Sequence, residues 1–540
     1  MTGTAHQRAG ARDNGGLIGD AIDSVDEETP LLATTKDLLA PAPDVEISES
    51  TTLNEQQGQG DGSGNGTSED DEDKPLPVWQ IVWLCYARLV EPMAFFSIFP
   101  YINQMAQENG NLPDTDVGFY SGLIESLFSL TQAVVMIFWG RVADRVGRKP
   151  VLVFSLVGVT LATSVFGMAK SIWQMVLFRC LAGVFAGTIV TIRTSIAELS
   201  TQKTQARAFS WFAFTGNLGI FLGPLLGGAL ADPASQYPRL FGGIKFFEKY
   251  PYALSSFVVG GIGLTAAITS ALFVKETLKK EPSSTDEAGD GAVTKPGDVK
   301  QRDPHSIVEL LKAPGVGMVL YVYAHVMLLG FAYTAIVPTF WFTPVPLGGF
   351  GFRPFEISIM MAVNGIAQAA WLLLAFPPLQ HRSGTNGVMR GCGYAYPWFF
   401  VVCPLGSLLL KAGARTAFWV VIPPLLALGS GVSMAFTAVQ LALNDASPSP
   451  QVLGTLNALA LTGVSAIRAF SPALFASLFA LGARTQWLGG YAIWVLMFVI
   501  GAGFTVAARR LPEKEDLEKA RLQREQERQR EEEGGDAAEE

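Results

Sequence analysis

The sequence predicts an all-α polytopic membrane protein with twelve transmembrane helices in two pseudo-symmetric six-helix halves. Three observations carry this expectation. The 540 residues are 49% hydrophobic and only 16% charged, with a mean hydropathy of +0.30, whereas a soluble domain carries about a quarter charged residues. The charges gather at the two ends and in the middle, leaving apolar runs that match the roughly 20 residues a helix needs to cross a bilayer. Between the second and third runs stands "GRVADRVGRK", residues 140–149, with five charged residues in ten.

The chain opens on an acidic tail, residues 1–77, rich in Gly, Ser, Thr, Asp and Glu. Such a composition buries too little apolar surface to fold, so disorder is expected. No apolar segment resembling a signal peptide lies in it, and the first membrane helix is expected to act as its own signal. Within the tail, "DEETPLL" sets Glu27 four residues before the pair Leu31-Leu32. That spacing is similar to acidic dileucine sorting signals read by adaptors. The sequon Asn65-Gly66-Thr67 falls on the cytosolic side of the expected topology and should carry no glycan.

Six apolar runs, centred near residues 91, 128, 160, 184, 219 and 263, make a first half at 78–275. A charged stretch at 276–314 follows as a central loop. Six further runs, near 328, 366, 400, 426, 465 and 497, make a second half at 315–508, and 509–540 is a highly charged tail. With both termini in the cytosol, fifteen Lys and Arg residues fall in inner loops and eight in outer ones. The positive-inside rule favours that orientation. The four cysteines (Cys85, Cys180, Cys392, Cys403) lie inside apolar runs at spacings that match no metal or redox site.

The decapeptide at 140–149 resembles the signature of the major facilitator superfamily, G-x-L-a-D-R-x-G-R-K. Gly140, Asp144, Arg145, Gly147, Arg148 and Lys149 match, and Val142 replaces the usual leucine. The glycines permit a tight turn, Asp144 can pair with a nearby arginine, and the resemblance implies a gating loop. A partial copy, "LQHRSG" at 379–384, keeps Leu379, Arg382 and Gly384 but has His381 in the aspartate position.

The fifth run holds "GNLGIFLGPLLGG", which resembles the drug:proton antiporter motif of that superfamily through Gly219, Gly223, Pro224, Gly227 and Gly228. Glycines four apart share one helix face and allow close packing. In the fourth run, Arg179 followed by Gly183 and Gly187 is similar to the motif whose buried arginine is linked to proton transfer. The first run, "CYARLVEPMAFFSIFPYI", and "NDASPSPQVLGTLNALA" at 444–460 resemble fungal members related to zinc-induced-facilitator-like proteins and bacterial tetracycline exporters.

A charge at the bilayer centre costs at least about 2.5–3.5 kcal/mol, so membrane-depth ionisable residues need partners or a function. Glu91, Glu125 and Arg179 are the candidate proton-coupling group, with Arg179 able to pair with either carboxylate. Arg88 and Glu91, three apart, share a helix face and can instead neutralise each other. His325, Asn364, Gln368, Gln440, Asn457 and Arg468 are candidates to line a substrate path in the second half, or to be satisfied packing residues. The aromatic ends of the first and seventh runs suit an amphipathic ligand.

No Gly-Lys pair occurs in the chain, which excludes a P-loop ATPase, and no nucleophile–base or metal-ligand set suggests an enzyme. Nothing suggests nucleic-acid binding. The resulting expectation is a monomeric secondary transporter in the plasma or vacuolar membrane. It exports a small organic compound by proton-coupled antiport and uses no cofactor beyond the proton gradient. Facilitated uptake or symport of a nutrient or metal chelate, and a non-transporting sensor, are the competing readings.

Overall fold

Membrane-spanning chains must satisfy their backbone internally, and the described residues of this one do so with helices. The computed structural model describes residues 75–278, 310–311, 313–448, 453–513, 516, 519 and 522–523. The dileucine stretch, the sequon, most of the central loop and most of the last tail lie outside the described residues.

The first half comprises α1 (Val78–Phe96), α2 (Val117–Val146), α3 (Arg148–Phe166), α4 (Ile172–Leu199), α5 (Gln202–Ala229) and α6 (Ala253–Phe273). The second comprises α7 (Val316–Phe342), α8 (354–383), α9 (385–411), α10 (Arg415–Asp445), α11 (Leu453–Thr485) and α12 (Ala492–Arg509). All twelve expected runs are present as helices. The boundary between α8 and α9 is a backbone break at Gly384, with φ 67° and ψ 172°.

Some helices are interrupted. α1 ends at Phe96, and after a turn the chain forms a short helix, Ile102–Gly110. α4 breaks at Ala186, whose ψ of 54° ends one helical segment before Thr188 begins the next. α8 contains one π-helical turn, Trp371–Ala375.

The halves pack closely at the end opposite the 140–149 loop. A Cβ on Gly122 would meet the Pro472 carbonyl oxygen of α11 at 2.7 Å, and one on Gly228 would meet the Pro354 oxygen of α8 at 2.6 Å. Two hydrogen bonds lie at the same end. Thr339 Oγ1 donates to Asn103 Oδ1 at 3.0 Å, and the Ala473 N–H donates to Ser126 Oγ at 2.8 Å.

Candidate functional site

The break in α4 positions the first group. Ending the helix near Ala186 frees carbonyls that need donors, and α2 supplies them. Trp139 Nε1 donates to Val184 O at 2.6 Å, and Gln132 Nε2 donates to Ala186 O at 3.1 Å. Gln132 Nε2 also donates to Glu91 Oε1 at 2.6 Å, while Thr188 Oγ1, on the first turn past the break, donates to Glu91 Oε2 at 2.5 Å. Glu91 is buried, and each carboxylate oxygen has a neutral donor. Neither proposed ion pair of Glu91 forms: among the described residues no salt bridge joins it to Arg88 or Arg179.

Arg179 does something else. Its Nη1 and Nη2 donate to Ala94 O and Phe95 O, at 3.4 and 3.3 Å. These are last-turn carbonyls of α1, and the guanidinium caps that end. The rings of Phe128 and Phe95 flank it at 4.8 and 5.2 Å. Glu125 is buried and Arg179 acts on it electrostatically, but the pair makes no salt bridge, and Oε2 of Glu125 has no hydrogen-bond partner. Arg468 reaches from α11 to the same cluster, 4.6 Å from the Phe95 ring.

The 140–149 loop folds onto its own half. Arg148 pairs with Asp144 through Nη1, and its Nε and Nη2 both donate to Glu198 Oε1, at 3.2 and 3.0 Å. Glu276, just past α6, accepts the backbone N–H of Arg148 at 2.7 Å and that of Lys149 at 3.1 Å. Partial burial opposes ionisation of Glu276, yet the backbone N–H groups of Leu278, Arg148, Lys149 and Thr277 hold its carboxyl below the usual carboxylate range. Gly147 has φ 121° and lies against this carboxylate. A Cβ on Gly140 would make only an ordinary contact with Val190, while Arg145 is exposed and has no ion-pair partner among the described residues.

The second half repeats the device in reduced form. His381 and Arg382 are exposed. After α12, Pro512 O accepts from Asn386 Nδ2 at 2.8 Å, and Glu513 pairs with Arg390 at 2.6 Å.

Gly219, Gly223 and Gly227 all abut α1. A Cβ would meet Leu89 O at 2.7 Å from Gly219 and Met93 O at 2.9 Å from Gly223, and from Gly227 it would overlap Ser97 O. Pro224 lies within this helix, and Gly228 faces α8 instead.

Of the second-half polar candidates, Gln440 and Asn457 are linked by a 2.8 Å hydrogen bond, and Tyr323 donates to Gln440 at 3.0 Å. Asn364 Oδ1 is buried without a partner, one residue before Gly365, which packs on Phe221 of α5. Gln368 is half-buried, one turn further along α8. His325 is turned to α12, bonded to Ile500 O at 3.0 Å and packed on Phe504, so it is a packing residue of the second half rather than a member of the Arg468 group.

Gln132, Thr188, Glu198 and Glu276 escaped the sequence reading. Gln132 carried a usable signal: Ser121, Glu125, Ser129 and Gln132 form one polar stripe at helical spacing in an otherwise apolar run, and all four are buried. Glu276 carried none, because its role is to accept backbone N–H groups.

Comparison with known proteins matches this architecture. Residues 84–472 match the Major Facilitator Superfamily. An efflux pump, azaK, of Aspergillus niger is 44% identical over 443 residues, covering 82% of this chain and 89% of that protein. The multidrug transporter mfsB of Aspergillus fumigatus is 28% identical, covering 77% and 80%. ZINC INDUCED FACILITATOR 1 of Arabidopsis thaliana is 26% identical, covering 73% and 82%. Among solved structures, an inward-facing, occupied bacterial homolog of the human lysosomal transporter Spinster superposes with a TM-score of 0.58 at 18% identity, covering 82% of this chain and 98% of that one. On sequence and architecture together, this multi-pass membrane chain is a transporter and not an enzyme, and it belongs to the Major Facilitator Superfamily.

Proposed function

We propose that the chain exports a small organic compound by proton-coupled antiport, moving it from the cytosol outward or into the vacuole. The observation that carries the export reading is the 44% identity to a protein named an efflux pump over 82% of the chain. The geometry around Arg179 supports the coupling. Glu91 is held by two donors, whereas Glu125 keeps one buried oxygen without any. An unpaired buried charge is costly, so Glu125 takes up and gives back the proton, while Glu91 serves as a fixed anion. Rocking of the halves about a midplane site then exposes the substrate alternately to each side. Asp144 and Arg148 steady the cytosolic end of the first half, and the glycine stripe of α5 lets α1 and α5 move as one packed pair.

The test is substrate flux in reconstituted vesicles with an imposed pH gradient. Flux should follow the gradient in the parent protein and lose that dependence in Glu125→Gln. Gradient-independent flux in the parent protein sinks the coupling.

A further inference from the structure

The charges at membrane depth do not balance. Among the described residues, half-buried Arg88, Arg193 and Arg468 and buried Arg179 stand against buried Glu91 and Glu125, leaving two guanidinium groups uncompensated even if each carboxylate is ionised. Arg179 is absorbed by the end of α1 and by Glu125. The other three make no ion pair among the described residues. Arg88 and Arg193 are held by the same ring, Phe212, at 4.9 and 6.0 Å. A ring positions a guanidinium without neutralising it, and Nε of Arg88 is buried with no acceptor. Arg468 enters from the other half, within electrostatic reach of Arg88 and Glu91. Tyr323, also of the second half, lies within electrostatic reach of Arg193.

We propose that the group formed by Arg88, Arg193 and Arg468 binds an organic anion, with its carboxylate or phenolate held by Arg193 and Arg88 from the first half and Arg468 from the second. This inference rests on the export reading and names its substrate class. The planar guanidinium fork matches a carboxylate and stays charged at any working pH. An unpaired guanidinium withdrawn from water is unfavourable, and a substrate that completes the balance relieves that cost on each cycle. A cationic substrate would meet net repulsion at the same place.

The test is equilibrium dialysis of the purified full chain in detergent at neutral pH, with labelled 1-naphthoate and its neutral isostere 1-naphthamide. Naphthoate should be retained about tenfold more tightly, as one or two charge-assisted hydrogen bonds allow. Arg193→Gln and Arg468→Gln should each remove most of that preference, and Arg468→Lys should keep part of it, with thermal melting used to show that each variant is folded. Equal retention of the two probes, no saturable retention of naphthoate, or complete displacement by chloride overturns the inference. Gradient-driven export of a neutral compound together with equal retention leaves antiport standing and removes only the anion site. Naphthoate preference with gradient-independent flux does the reverse.

Discussion

Gly147 and Gly384 occupy the same point of the two halves, each at the turn between a half's second and third helix. Both have positive φ, 121° and 67°, with ψ extended at 155° and 172°. Their surroundings differ. A Cβ on Gly147 would press against the Glu276 carboxylate at 2.5 Å, while nothing lies within 4 Å at Gly384. Alanine at Gly384 should therefore cost only the backbone strain, about 1–3 kcal/mol. Alanine at Gly147 should cost more, because the Glu276 tether must also shift. Melting temperatures of the two purified variants give the comparison, and equal losses contradict it.

Glu276 links the stability of the first half to pH. Its carboxyl is held below the ordinary value of 4.5 when folded, so the stabilisation is full above that value. It is lost as pH falls through the lowered folded value. The difference in melting temperature between parent and Glu276→Gln should be constant near neutrality and shrink below about pH 4. A difference that grows on acidification contradicts the assignment.

Arg148 uses its fork to join Asp144 to Glu198. Lysine supplies the charge but not the planar geometry. Arg148→Lys should destabilise by about 1.5–3 kcal/mol, the range for hydrogen bonds to charged groups. In Glu198→Gln the same change should cost less, since the two side chains act as one unit. A double-mutant cycle followed by thermal melting reads the coupling, and strict additivity denies it.

Along α5, Gly227→Ala would force a methyl group onto the carbonyl of Ser97, a backbone atom that cannot rotate away. Overpacking of this kind costs about 1–3 kcal/mol, and flux should fall with it. Gly261 of α6, with nothing within 4 Å, is the contrast. Alanine there should be neutral or stabilise by up to about 1 kcal/mol through helix propensity.

Thr188 holds one oxygen of Glu91. Thr188→Val keeps the shape and removes the donor, so it should destabilise by about 1–3 kcal/mol. Thr188→Ser should restore most of the loss. If valine and serine behave alike, the hydroxyl does not hold the carboxylate.

Some of these relationships were legible in the chain and others were not. The glycine spacing of α5 announced a smooth helix face, and the structure seats that face on Leu89, Met93 and Ser97 of α1. The 379–384 copy announced a repeated turn, and Gly384 makes it. Arg179 was recognisable as a buried arginine, but its hydrogen bonds go to two carbonyls of α1 and to neither carboxylate. Carbonyl acceptors leave no trace in side-chain identity, so only the broken end of α1 reveals them.

Twelve crossings, their order, the charged loop after the second and its echo after the eighth follow from polarity along the chain. A bilayer leaves a backbone no other way to satisfy its hydrogen bonds, so apolar length alone dictates the helices. Partner choice did not follow. Glu91 makes no salt bridge with Arg88, three residues away, although it acts on it electrostatically, and hydrogen-bonds Gln132 and Thr188, 41 and 97 residues away. That choice depends on how α1, α2 and α4 rotate about their axes and on where α4 breaks. Both are settled by packing among helices distant in sequence, and the arginines left without an ion pair became visible only once that packing had assigned the carboxylates.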